Sequence, residues 1–286
     1  MMARIIGVMR GNFSLVSGTT ILVIVLSTVV FGPLILRSDP LSQDLVARLR
    51  PPAWAAGGTS DRLLGTDALG RDMVSRLMYG GRVSVALGVV AVTSAGLVGL
   101  AIGLMAGYFG GAMDDVIMRI AEIQMAFPLL VLALILMAVF GPGIVSMFVA
   151  FTISGWPIFA KITRGIVLSI RHQEFIEAAR AIGCGNIRLI IRHVLPNVLP
   201  YIVILTALQL SGMILTEAGL SFVGIGIQPP TPSWGNMLGE GRAYLSNAWW
   251  LATFPGIALM ITVLGANLLS DGLQVVLDPR ARRRIR

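Results

Sequence analysis

Hydrophobic positions in this chain fall into runs too long for a soluble core, with charge largely confined to the intervals between them. The first uncharged run, from Gly11 to Leu36 behind Arg4 and Arg10, is long enough to cross a bilayer, which takes about 20 residues at ~1.5 Å each. Its apolar part outlasts the core of a signal peptide and no A-x-A site follows, so it reads as a retained helix. A second run extends from Val83 to Met113. Ile123 to Ala160 carries no charge either, and Gly141, Pro142 and Gly143 divide it into two pieces of nearly spanning length, a helical hairpin with a tight turn. Pro128 and Pro157 predict kinks there, which neighbouring helices in a bundle accommodate. Val194–Val223 and a stretch from about Ala248 to Val276 complete the six spans of an all-α polytopic membrane protein.

The intervals predict what joins these spans. Arg37 to Arg82 holds Pro40, Pro51, Pro52, Gly57 and Gly58 and reads as an irregular extramembrane loop. Near its end Asp67 is placed to cap a helix, with Leu69, Met73, Leu77 and Met78 on one side of an interfacial segment. Gly96, Gly99, Gly103 and Gly107 recur on one face of the second span, where they permit close helix packing in lipid. Asp114, Asp115, Arg119 and Glu122 read as a short exposed turn. The interval Lys161–Arg192 is the longest polar one between the later spans. Within it Phe175, Ile176, Ala179 and Ile182 recur at helical spacing, and Gly183, Cys184 and Gly185 break the helix. Asn186 is placed to cap a second helix with Ile187, Ile190, Ile191 and Val194 as one stripe, and Pro196 marks where that helix ends or the next begins. Two short helices with a glycine joint make a protruding knob suited to a partner's groove. Gln228 to Gly235 cannot be regular helix, and Trp249 and Trp250 stand where an aromatic belt would. The chain divides into 1–82, a first helix and external loop, and 83–286, a five-helix core carrying the loop 161–196.

Composition supports a membrane protein: 56% of residues are hydrophobic, 13% are charged and mean hydropathy is +0.84, whereas soluble domains carry about 25% charged residues. A net charge of +8 suggests nucleic acid, yet no continuous basic domain with interleaved stacking aromatics exists. Orientation explains the charge better. Six spans put both termini on one side, and that side holds 14 Lys and Arg against eight on the other. The positive-inside rule therefore predicts cytoplasmic termini and a cytoplasmic 161–196 loop.

Several chemistries are excluded. The only lysine, Lys161, follows Ala160, so no phosphate-cradling G-x-x-x-x-G-K-[ST] loop is present and transport energy must come from another subunit or an ion gradient. There is no G-x-S-x-G elbow and no H-E-x-x-H pair. Cys184 has no second cysteine to pair with, and His172 and His193 are the only histidines, so no zinc cluster is expected. These absences predict a membrane protein that is not an enzyme and holds no cofactor or metal.

Glu177-Ala178-Ala179, three residues, Gly183 and a run ending in Leu195 and Pro196 resemble the EAA loop of the membrane subunits of ABC importers. The general pattern has an aliphatic residue where this chain has His193, a departure that fits the peptide and nickel branch, whose RHxLPN is matched by Arg192 to Asn197. The strings LGTDALGRDMVSRL from Leu64 and EAGLSFVGIGIQPPTPSWGNML from Glu217 are similar to the second permease subunit of dipeptide and oligopeptide systems. The likeness runs from about Leu64 to Arg280. It implies a bacterial inner-membrane permease with a homologous permease subunit, two ATP-binding subunits and an external substrate-binding protein as partners. It also implies that Glu177, Ala178, Ala179, Gly183, Leu195 and Pro196 belong to the segment that docks into the ATPase, and leaves dipeptides, oligopeptides or nickel as the cargo.

Two acids fall in or beside predicted spans, where ionisable groups are costly. Glu217 either holds helices together by hydrogen bonding or stands in the substrate path; Asp271, near Asn267 and Gly272, reads as structural. An alternative of another class is a self-contained ion-coupled carrier in which Glu217 carries the proton.

Overall fold

The computed structural model describes residues 12–36 and 39–277. Arg4, Arg10, Arg37 and the basic tail, which contribute to the charge count, lie outside these residues. The described residues are mostly helical, without a named strand: α1 Phe13–Leu36, α2 Met73–Phe109, α3 Gly111–Met125, α4 Leu129–Phe140, α5 Ile144–Ile170, α6 Glu174–Ala181, α7 Asn186–Leu189, α8 Leu195–Phe222, α9 Trp234–Arg242 and α10 Trp250–Leu277. A π-helical turn, Ile190–Val194, joins α7 to α8. Five helical stretches are long and apolar enough to cross a membrane alone, or six when the bent pair α3–α4 is taken as one span.

The second span differs from its expectation at the front end. No separate interfacial helix precedes it. Asp72, not Asp67, caps α2, its side chain accepting from the Ser75 N–H at 2.8 Å, and the helix then runs unbroken for 37 residues, about 55 Å at 1.5 Å per residue. The glycine stripe behaves as expected. A side chain at Gly99 would meet Phe159 and Ala160 of α5, one at Gly103 Ala160 and Thr163, and one at Gly107 Val167. In lipid, where burial gives helices no hydrophobic reward, such backbone approach supplies the packing.

The Asp114–Glu122 stretch is helix, not turn. Asp114 is buried and takes a two-pronged bond from Arg164, Nε to Oδ1 at 2.5 Å and Nη2 to Oδ2 at 2.6 Å, which fastens α3 to α5. Pro128 breaks the third span outright: α3 and α4 meet at 92°, since the residue before a proline is driven out of helical geometry and proline donates no N–H. The first arm of the expected hairpin is therefore α4, 12 residues or about 18 Å, too short to span alone. The turn at Gly141 and Gly143 is as expected, with φ of 83° and 144°.

Cross-chain hydrogen bonds sort the helix ends into two layers. At one end Asn12 donates to the Gly272 carbonyl, Arg171 to the Gly107 carbonyl and Tyr108 to Asn186. At the other, Arg76 reaches Glu240, Trp234 Nε1 donates to the Leu77 carbonyl and Trp250 Nε1 to the Thr66 carbonyl. Trp250 is thus buried as a lock on the first loop and is not a belt residue, while Trp249 remains exposed.

Candidate functional site

The loop helix α6 is closed by its own C-terminal geometry. Gly183 stands at φ +85°, its N–H donates to the Arg180 carbonyl at 3.0 Å, and the Cys184 N–H donates to the Ala179 carbonyl at 3.1 Å. These two bonds are a Schellman cap, in which the left-handed residue favours glycine. Ile176 and Ala179 are buried and Cys184 packs half-buried against the same core. Glu177, Ala178 and Arg180 are exposed, and Ile182 is 87% exposed. The helix thus seats one narrow apolar edge and presents a mixed small, charged and apolar surface outward.

The second helix departs from its expectation in three ways. Gly185 occupies the cap position, and Asn186 Oδ1 instead accepts from the Tyr108 hydroxyl at 2.9 Å. The expected isoleucine stripe splits, because Leu189 and Val194 are buried whereas Ile187 and Ile191 are exposed. The helix also does not stop before the span. It widens through Ile190–Val194 and continues into α8; the wide turn stands just ahead of Pro196, whose ring would clash with the carbonyl four residues back in a regular helix. Glu177, Ala178, Ala179 and Gly183 therefore share α6 and its cap, while Leu195, half-buried, and Pro196, exposed, stand at the foot of α8.

Glu217 is fully buried near the far end of α8. Its Oε1 accepts from the Ser221 hydroxyl at 2.7 Å, Oε2 is without a partner, and Ser84 and Ser233 stand beside the carboxyl. Those three hydroxyl oxygens each accept a backbone N–H: Ser221 from Ile227, Ser84 from Trp234 and Ser233 from Asn236. The carboxyl group thus lies beneath the segment 225–236, and side chains at Gly226 and Gly235 would collide with Ser221 or Ala218. The string from Glu217 to Leu238 is one packed unit. Asp271 is exposed on α10.

Sequence reasoning missed a charge cluster at the same end. Asp67 accepts from the N–H groups of Leu69 and Arg71, from Arg71 Nε at 2.6 Å and from Arg76 Nη1 at 2.5 Å. Arg76 also grips Glu240 of α9 with two bonds, 2.7 and 3.1 Å, and Arg71 Nη2 reaches it at 3.2 Å. The Arg76 and Asp67 side chains are only 3% and 4% exposed. The cluster joins the first loop to α9 across more than 160 residues of sequence. Its only signal in the sequence was an excess of charge in GTDALGRDMVSR; the partner Glu240 lies too far along the chain to be paired by spacing.

This arrangement of spans, broken helix and amphipathic loop has known relatives. Residues 99–283 match the family model of binding-protein-dependent transport system inner membrane components. The chain is 42% identical over 274 residues to the dipeptide transport system permease protein DppC of Escherichia coli strain K12, covering 96% of this chain and 91% of that one. It is 36% identical to the di/tripeptide transport system permease protein DppC of Pseudomonas aeruginosa strain UCBPP-PA14, covering 95% and 89%. Among solved structures, the fold resembles a chain of the MetNI methionine ABC transporter in an inward-facing conformation, with a TM-score of 0.57 at 19% identity over 71% of this chain and 96% of that one. The chain belongs to the family of binding-protein-dependent transport system inner membrane components. It is a multi-pass inner-membrane protein and a permease subunit of an ABC importer, so the self-contained carrier reading is not favoured.

Proposed function

We propose that this subunit forms half of a translocation pathway for dipeptides or oligopeptides, completed by a homologous permease, driven by two ATP-binding subunits and supplied by an external binding protein. The DppC relatives favour peptides over nickel. The 83–286 core carries the pathway, and α6 with Gly183 is the coupling element that inserts into an ATPase subunit. The observation that carries this reading is the capped helix itself, seated on Ile176 and Ala179 with its remaining residues exposed. The positive-inside excess orients it: the layer holding Asn12, Tyr108, Arg171 and Asn186 faces the cytoplasm, where ATP is, with both termini. Glu217 serves as a structural acid, because its contacts are hydroxyls of its own fold. Purified alone in detergent, the chain should neither bind nor hydrolyse ATP; copurified with its permease partner and ATPase subunits and reconstituted with the binding protein, it should import a radiolabelled dipeptide on ATP addition. Saturable ATP binding by the isolated chain, or dipeptide uptake by vesicles holding it alone, would sink the proposal.

A further inference from the structure

The coupling helix is bracketed by two hydrogen bonds to successive residues of a helix that is not its neighbour in the chain. Arg171, three residues before α6, donates from Nη1 to the Gly107 carbonyl at 3.0 Å; Asn186, five residues after it, accepts from the Tyr108 hydroxyl at 2.9 Å. Gly107 and Tyr108 are the last turn of α2. Tyr108 is buried and belongs to the same apolar cluster as Ile170, Ile176, Ala179 and Leu189, so the contact is a seat with an apolar floor and a polar grip on either side. Two bonds flanking one helix restrain its rotation as well as its position, which one bond does not. From that seat α2 runs without a break to Met73, and at its other end Arg76 bonds Asp67 of the outer loop and Glu240 of α9. These two bonds and the unbroken helix thus link α6 to the outer charge cluster by a route separate from α5 and α8, which adjoin it through the chain.

We infer that the end of α2 is the seat through which α6 passes its movement to the outer face, with Tyr108, Asn186 and Arg171 as positioning residues. This rests on α6 being the coupling helix. Mere spatial continuity does not establish a path, so the test is a double-mutant cycle. In the reconstituted complex of both permeases, the ATPase subunits and the binding protein, the readout is alanyl-alanine imported per ATP hydrolysed. Tyr108→Phe and Asn186→Ala each lower that ratio about threefold to tenfold, as loss of one hydrogen bond predicts. The double variant is no worse than the poorer single, and Asn186→Asp, which keeps an acceptor, retains coupling only where Tyr108 is present. ATPase copurification stays at the unmutated level throughout. An unchanged ratio in both single variants, multiplicative losses in the double, or loss of ATPase copurification by Tyr108→Phe overturns the inference. Failure of the coupling reading shows separately, as normal uptake and copurification in Gly183→Leu.

Discussion

At Gly183 the backbone holds φ +85° and nothing lies within 4 Å of where a side chain would begin. Any L-residue there meets a backbone penalty of about 1–2 kcal/mol, while added bulk projects into open space, where the proposed ATPase docks. Gly183→Leu should therefore insert and join its permease partner, yet lose ATPase copurification or uptake, whereas Gly183→Asn, suited to left-handed geometry, should lose less. Normal values for both readouts in the leucine variant would remove α6 from coupling. Glu217 tests a different kind of dependence. Glutamine keeps an acceptor for Ser221 and adds donors where Oε2 is without a partner, so Glu217→Gln should keep at least about half of transport. Glu217→Ala leaves the buried Ser221 hydroxyl without its acceptor, at about 1–3 kcal/mol for an unsatisfied group, and should make the segment 225–236 sensitive to protease. Loss of transport in the glutamine variant, with assembly and ATPase activity normal, would instead place Glu217 in the substrate path.

Element by element, the spans were legible because twenty-odd apolar residues in lipid have few alternatives to helix. The capped loop helix was legible too, since a local period and a glycine stop determine it. What spacing could not show was set by distant partners. Asn186 looked like a cap because asparagine before a helix usually is one, and the hydroxyl of Tyr108, 78 residues away, claims its oxygen. Asp67 looked like a cap for the same reason, and two arginines claim it. Pro128 was placed correctly and its effect underestimated, because sequence does not say whether neighbours will rejoin the halves of a broken helix. The charge cluster makes a prediction at this scale. Arg76→Met strands Asp67 and Glu240 with Arg71 alone, and breaking a buried pair in this way costs about 3–5 kcal/mol. The variant should unfold earlier in detergent and become cleavable within 39–72, and Arg76→Met combined with Glu240→Leu should recover part of the loss. Equal stability of the Arg76→Met and unmutated chains would show that the cluster does not hold the outer loop to α9.

For the whole molecule, the proposed orientation turns on which layer faces the cytoplasm. Helix geometry fixes only that residues 12, 108 and 186 share one layer and 66, 76 and 240 the other; the direction comes from charge, and part of that charge lies at the ends of the chain, beyond the described residues. A labelling experiment reads it directly, because Cys184 is the only cysteine and Cys184→Ala gives a silent background. Val46 on the first loop is 86% exposed and Ile182 beyond α6 is 87% exposed, so a thiol at either site meets reagent without disturbing a packed neighbour. In intact spheroplasts expressing the two permease subunits without the ATPase, a membrane-impermeant maleimide should label Val46→Cys, while Ile182→Cys should react only after permeabilisation. Docking of the ATPase should then protect Ile182→Cys and leave Val46→Cys unchanged, since the two sites lie in opposite layers. The reverse pattern would invert the topology and put α6 out of reach of any cytoplasmic ATPase.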